Sequence, residues 1–180
     1  MSVSGVPVLV GVPVLAGAFL LVEAGLEHLR APWVLARAAG TGITAARAIA
    51  ATEFVIGVPA VAAVLLGTGQ LRWALGGQAA LYLAFATHLS WRRHRGERSD
   101  CGCNRMGAAV GPAGIARAGL LAAATLAAAA QYPAATLAAA ARYPLAALPG
   151  GGVALMLIAC AAVLAVLLYT LPAALDGPAA

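Results

Sequence analysis

Long apolar runs separated by short polar stretches dominate the hydropathy pattern of this chain. Five runs approach the roughly 20 residues that a helix needs to cross the hydrocarbon core of a bilayer. They cover residues 6–26, 48–66, 71–89, 111–130 and 153–171. The short polar connection between the second and third runs predicts an antiparallel hairpin. We therefore expect one integral membrane domain over residues 1–180, an all-α polytopic membrane helix bundle with about five transmembrane helices and a core of four.

The composition strengthens this expectation of a membrane protein. Hydrophobic residues make up 63% of the chain, charged residues only 9%, and the mean hydropathy is +0.93. Soluble domains average about 25% charged residues, so this chain could not cover a water-exposed surface with polar groups. Because no basic residues precede the first apolar run, we expect it to be a retained span rather than a cleaved signal peptide.

All of the basic side chains other than histidine are arginines, eleven in number, and the net charge is +5. They flank apolar runs and form no basic face with interleaved aromatic residues, which argues against nucleic acid as a partner and for the lipid bilayer. The positive-inside rule places their main concentration, in the first and third connections, in the cytoplasm. Arginine and alanine without lysine also indicate a GC-rich bacterial genome, so we expect the inner (plasma) membrane of a bacterial cell.

The connection before the last apolar run contains an 11-residue duplication. Residues 125–135 read TLAAAAQYPAA, and residues 136–146 read TLAAAARYPLA. Each Tyr-Pro pair is typical of a helix end at the membrane interface, where tyrosine is enriched. A connection lengthened by gene slippage explains the duplication better than a binding role does.

Ionisable residues within the spans or just beyond their ends are expected to converge on one leaflet, the one that borders the third connection. They are Glu23, Glu27, His28, Glu53, His88 and Arg117. Glu53 lies about 9 Å inside the second span, counted from Arg47. Because an unpaired buried charge is costly, we expect a buried pair of Arg117 with Glu53 or Glu23. Glu27, His28 and His88 are shallower and are expected to extend to the interface.

The third connection, residues 91–110, holds two cysteines that flank one glycine. Cys101 and Cys103 would be about 7 Å apart at Cα in an extended chain, too far for a relaxed disulfide. Gly102 permits the turn that a disulfide needs, and the resulting strained bond would be labile. Arg98 and Arg105 favour the reactive thiolate. The pattern predicts a thiol/disulfide exchange site.

Two other uses of these thiols stay open. They could bind a soft metal such as Cu(I) or Zn²⁺ with further ligands from another chain, or they could be inert. The third cysteine, Cys160, lies with Met156 in the last apolar run, and both are expected to be packing residues.

Three stretches resemble the MauE (methylamine utilisation) family of MauE/DoxX-like redox-associated membrane proteins. They read EAGLEHLRAPWVLARAAG, ATEFVIGVPAVAAVLLG, and RHRGERSDCGCNRMG followed by PAGIARAGLLAAA, and the resemblance covers about residues 20–124. The resemblance implies that Cys101, Gly102 and Cys103 form a redox pair, with Glu53, Gly57 and Arg117 as framework or site positions. His28 stands where the family has lysine. It also implies an accessory role in the maturation of methylamine dehydrogenase, in methylamine metabolism, alongside a thioredoxin-like partner or a client protein.

The sequence therefore favours a membrane redox protein that serves as a thiol–disulfide oxidoreductase component. Cys101 and Cys103 would react, and Gly102, Glu53, Arg117, Glu23, His88, Arg98 and Arg105 would support them. No cofactor or metal site is evident; a membrane quinone would be a suitable electron acceptor, but no sequence feature identifies its pocket. The alternative is a non-catalytic assembly scaffold or metal-handling protein that uses the same cysteines. A transporter is disfavoured because the chain lacks an inverted repeat.

Overall fold

The computed structural model describes residues 6–66, 71–97, 109–131 and 151–176, and all six elements within these ranges are helices. They are α1 (Val6–Arg30), α2 (Pro32–Ala39), α3 (Ile43–Leu66), α4 (Leu71–His94), α5 (Pro112–Gln131) and α6 (Gly151–Asp176). The chain is thus an all-α helix bundle, as the hydropathy pattern predicted.

Four of these helices are long and apolar enough to cross a bilayer, so the chain is a multi-pass membrane protein. The apolar stretches are Gly11–Arg30, Ile43–Leu65, Pro112–Ala130 and Leu155–Asp176. Helix α4 has 24 residues, but it contains the buried Gln78 and ends in charged residues. It occupies the region of the third predicted span and is less apolar than the other four.

The short helix α2 was not anticipated from the hydropathy pattern. Pro32 cannot continue α1, because it lacks an N–H donor, but it suits the first position of a new helix. Helix α2 ends at Gly40, whose φ of 64° lies in the left-handed region. Its buried Leu35 and Ala36 pack on Ala46 of α3. This packing lays α2 over one end of the bundle.

Two close helix pairs, α1 with α3 and α4 with α5, form the bundle, and α6 packs on α1 and α5. Glycines set the separation of the first pair. A Cβ atom on Gly25 would lie 2.8 Å from the backbone nitrogen of Phe54, and one on Gly57 would lie 3.0 Å from that of Val22. Only glycine permits this approach of the two backbones.

The last helix returns to the end of the bundle where α5 begins. Asp176, the final residue of α6, accepts hydrogen bonds of 3.1 Å from the backbone amides of Ala113 and Gly114. The carboxylate satisfies two of the N–H groups that the first turn of α5 leaves unpaired. The last span therefore ends on the side of the third connection. We call this side, where α1, α4 and α6 end and α3 and α5 begin, the polar end.

Exposed tryptophans mark both ends of the bundle. Trp33 and Trp91 are exposed at the polar end, and Trp73 is exposed near the start of α4, at the opposite end. Tryptophan is enriched at both membrane–water interfaces. The positions of these three side chains fit a bundle that traverses the bilayer with the polar end at one surface.

Candidate functional site

A cavity of about 320 Å³ lies between the two helix pairs at the polar end. All six described helices contribute to its wall, and most of the lining side chains are apolar. The polar side chains that line it are His28, Glu53, Tyr82, His88, Arg117 and Tyr169, together with Thr41. Small-molecule sites in proteins are typically apolar cavities of roughly 300–1,000 Å³ with a few convergent polar groups. This cavity fits that description at the small end of the range.

The deepest polar feature is a buried pair between α1 and α3. Nδ1 of His28 is hydrogen-bonded to Oε2 of Glu53 at 2.7 Å, and the two residues are 7% and 0% exposed. The pair forms because the glycine contacts bring α1 and α3 close together, with Gly25 less than one turn before His28. Oε1 of Glu53 is also buried but has no hydrogen-bond partner. A buried acceptor without a donor is costly and therefore suggests a ligand.

The expected pair of Arg117 with Glu53 or Glu23 is wrong. Glu53 bonds to His28 instead, and Glu23 is exposed and does not line the cavity. Nη1 of Arg117 donates to the backbone carbonyl of Leu168 in α6 at 3.2 Å. Pro172 follows four residues later and has no N–H to offer that carbonyl, so Arg117 supplies the missing donor.

Two side chains of α4 fix the wall of the cavity against α1. The hydroxyl of Tyr82 donates to the carbonyl of Gly17 at 2.7 Å, and Nε2 of Gln78 donates to the carbonyl of Val14 at 2.9 Å. Both side chains are buried. A Cβ atom at Gly17 would come within 2.5 Å of the Gln78 amide. Glycine at this position is therefore what lets α4 reach the α1 backbone.

The end of α4, which follows the cavity-lining His88, is cationic and aromatic. The half-buried His88 stacks at a tilt on Trp91, with ring centroids 6.2 Å apart, and the guanidinium of Arg95 lies 4.6 Å from the Trp91 ring centroid. Arg92 is buried and its Nε donates to Glu97 at 2.8 Å. The end of α4 thus presents ordered positive charge at the membrane surface.

The structure brings three of the sequence-predicted site residues, Glu53, His88 and Arg117, to one cavity. Gly57 lies at the α1–α3 contact. Five others lie outside the described residues: Cys101, Gly102, Cys103, Arg98 and Arg105. The second copy of the duplication lies outside them as well.

Sequence reasoning missed several polar residues of the site. His28 was expected at the interface but is buried, and Tyr82 and Tyr169 were not singled out. Their signal was a polar side chain inside an otherwise apolar run. Cys160 and Met156 do not pack in the core as expected; both are exposed on the outward face of α6.

The polar groups of the cavity can bind a ligand and exchange protons with it. Glu53 and His28 can each take up or release a proton, and Arg117 offers a permanent positive charge. Within the part of the chain that the structure describes, no group of three or more histidine, cysteine or acidic side chains could hold a metal ion. The residues of this cavity themselves supply hydrogen-bonding and proton-transfer groups.

No protein-family model, curated protein or solved structure matches this chain.

Proposed function

We propose that the protein is a membrane-embedded thiol–disulfide component that acts through Cys101 and Cys103. One observation carries the proposal: the connection that contains both cysteines leaves α4 and enters α5 at the polar end, beside the cavity. Cys101 follows Glu97 by four residues, and four extended residues cover at most about 14 Å. The chain length therefore limits how far this thiol can lie from the end of α4.

The reaction is a thiol–disulfide exchange with a client protein. One thiolate of the pair attacks a sulfur of the client disulfide, which forms a mixed disulfide and releases a client thiolate. The second thiolate then attacks the mixed disulfide, so the pair becomes a disulfide and the client becomes a dithiol. In this direction two electrons pass from the pair to the client. The reverse sequence forms the client disulfide and leaves the pair as a dithiol, which an electron acceptor then has to reoxidise.

The electrostatics of the polar end support this chemistry. Arg93 and Arg95 are exposed at the end of α4, just before the cysteine-bearing connection. A positive environment favours the thiolate, which is the attacking species. The His28–Glu53 pair adds groups that can accept the protons which the thiols release.

The family resemblance suggests the client. By analogy with MauE, we infer an accessory role in forming the disulfides of methylamine dehydrogenase, with a thioredoxin-like partner. The distribution of arginines suggests a bacterial inner membrane with the cysteine-bearing connection on the cytoplasmic side.

Thiol labelling in intact cells tests the proposal. A Cys160→Ser background leaves only Cys101 and Cys103 to react, and Cys160 lies outside the cavity lining. We expect maleimide labelling to rise after dithiothreitol treatment of cells grown under oxidising conditions. Labelling that reductant does not change would contradict a redox pair. A membrane-impermeant maleimide in the same cells identifies the side of the membrane.

A genetic test separates redox chemistry from scaffolding. The Cys101→Ser/Cys103→Ser double variant should no longer support maturation of the client, whereas Cys160→Ser should support it fully. A non-catalytic assembly scaffold would keep its activity in both variants.

A further inference from the structure

The cavity contains two polar groups whose hydrogen-bonding capacity is not met by the described protein, the buried Glu53 and the partly buried Arg117. Oε1 of Glu53 has no donor, although the residue is 0% exposed. Arg117 carries five N–H donors, and among the described residues its only hydrogen-bond acceptor is the Leu168 carbonyl. Glu53 and Arg117 do not form an ion pair with each other, because Glu53 pairs with His28. A ligand that brings a donor for Glu53 and an acceptor for Arg117 would satisfy both.

The remaining wall is apolar and partly aromatic. Leu20, Leu21 and Leu81 line it together with Phe85 and Tyr82. Tyr82 and Phe85 meet edge to face, with centroids 6.4 Å apart. A flat ring of moderate size suits such walls, because aromatic side chains contact other rings favourably.

We propose that this cavity binds the head ring of a lipid-soluble quinone and its hydroquinone. An oxygen of the ring accepts a hydrogen bond from Arg117, and the hydroxyl of the hydroquinone donates to Oε1 of Glu53. The same carboxyl group, when protonated, donates to the carbonyl of the oxidised ring. His28 holds Glu53 in place through its other oxygen in both states.

Other membrane molecules match the hydrogen-bonding groups of Glu53 and Arg117 less well. A fatty acid would give Arg117 a carboxylate, but it would bring a second negative charge towards the Glu53 carboxylate. A hydrocarbon chain would satisfy neither group, and burying unpaired polar atoms against it is costly. The quinone ring is the chemistry that offers both an acceptor and, when reduced, a donor.

This inference deepens the proposed function, on which the role of the bound ring depends. Oxidation of a dithiol to a disulfide releases two electrons and two protons, and reduction of a quinone to a hydroquinone consumes the same number of each. The quinone would therefore serve as the electron acceptor for the thiol pair.

Binding is measured directly with the full-length protein in lipid nanodiscs. Decylubiquinone and menadione represent the benzoquinone and naphthoquinone classes, and protein-free nanodiscs correct for partition into lipid. We expect saturable quenching of tryptophan fluorescence by at least one class. Arg117→Gln should weaken binding roughly tenfold, since a charged hydrogen-bond donor is replaced by a neutral one. Glu53→Gln should weaken binding of the hydroquinone, measured without oxygen, by a similar factor.

A second pair of variants leaves the polar groups intact. Ala24 lines the cavity, and Ala24→Leu should fill it and abolish saturable binding. Ala80 is exposed on α4 and does not line the cavity, so Ala80→Leu should bind like the unmodified protein. If substitution of Glu53 or Arg117 prevents folding, these two variants still test whether the quinone ring binds in this cavity.

The outcomes separate this inference from the proposed function. The Cys101→Ser/Cys103→Ser variant should bind quinone with unchanged affinity, because its cavity is intact. Thiol cycling in cells without saturable binding of either quinone class would overturn the quinone site and leave the proposed function standing. Binding that Ala24→Leu does not reduce would overturn this location for the ring. Quinone binding by a chain whose thiols do not cycle would support the site and contradict the proposed function.

Discussion

Nδ1 of His28 lies 2.7 Å from Oε2 of Glu53, and the pair links the end of α1 to the middle of α3 beneath the polar end. Both side chains are buried, and Gly25, three residues before His28, lets the two helices approach closely enough for the bond. The contact between backbones and the contact between side chains therefore depend on each other. This arrangement leads to the first two predictions below.

Removal of either partner of this pair should destabilise the bundle, and the two losses should not add. His28→Ala leaves the carboxylate of Glu53 buried without a partner, which costs about 3–5 kcal/mol in other proteins. Glu53→Ala should cost less, because an imidazole can remain neutral. Unfolding in detergent micelles, followed by circular dichroism, should show a double variant less destabilised than the sum of the two. The exposed Thr52, one residue before Glu53, supplies the control variant Thr52→Ala. Strictly additive losses of stability in the double variant would contradict the coupling of His28 and Glu53.

Addition of a methyl group at the α1–α3 contact should destabilise the bundle, whereas the same change on an open helix face should not. Gly25→Ala would press a Cβ atom against the backbone of Phe54 and Ala50, and we expect a loss of at least 1 kcal/mol. Nothing lies within 4 Å of a Cβ atom at Gly119 in α5, so Gly119→Ala should be neutral or should stabilise by up to about 1 kcal/mol. Thermal unfolding of the two variants side by side measures the difference. Equal effects would contradict the close approach of α1 and α3.

The interaction of Arg117 with α6 should depend on a proline. Pro172 frees the carbonyl of Leu168, and Arg117 donates to it. We expect Arg117→Leu to destabilise the bundle by about 1–3 kcal/mol, because a partly buried carbonyl loses its donor. Pro172→Ala restores a backbone N–H that can bond to Leu168, so the double variant should recover part of that loss. Absence of any recovery would show that the carbonyl is not the important partner of Arg117.

Asp176 should stabilise the start of α5. Its carboxylate accepts hydrogen bonds from Ala113 and Gly114, as a capping residue does within one chain segment. Asp176→Ala should cost about 1 kcal/mol and increase hydrogen exchange at those two amides. The neighbouring Leu175 is 67% exposed, and Leu175→Ala should change neither quantity. Unchanged exchange in Asp176→Ala would argue against the contact between the two helix ends.

Part of the site could be predicted from the sequence because of a simple constraint. Helices that cross a membrane alternate in direction, so residue positions along each apolar run fix which end of the bundle they occupy. This places Glu53, His88 and Arg117 in one leaflet without any knowledge of packing. The partner of Glu53 could not be predicted in this way, because the choice between His28 and Arg117 depends on how each helix is rotated about its axis.

The sequence by itself determined that this chain forms membrane-crossing helices and that its buried ionisable groups gather at one end. Hydrophobicity and the alternating direction of the spans are enough for these two predictions, since both can be determined from the order of residues alone. Only the tertiary structure decided the pairing of His28 with Glu53 and the hydrogen bond from Arg117 to the Leu168 carbonyl, which Pro172 leaves without a backbone donor. It also decided the cavity between the helix pairs. These features depend on the separation and rotation of helices that are distant in sequence, and contacts between backbones, such as the one at Gly25, set both.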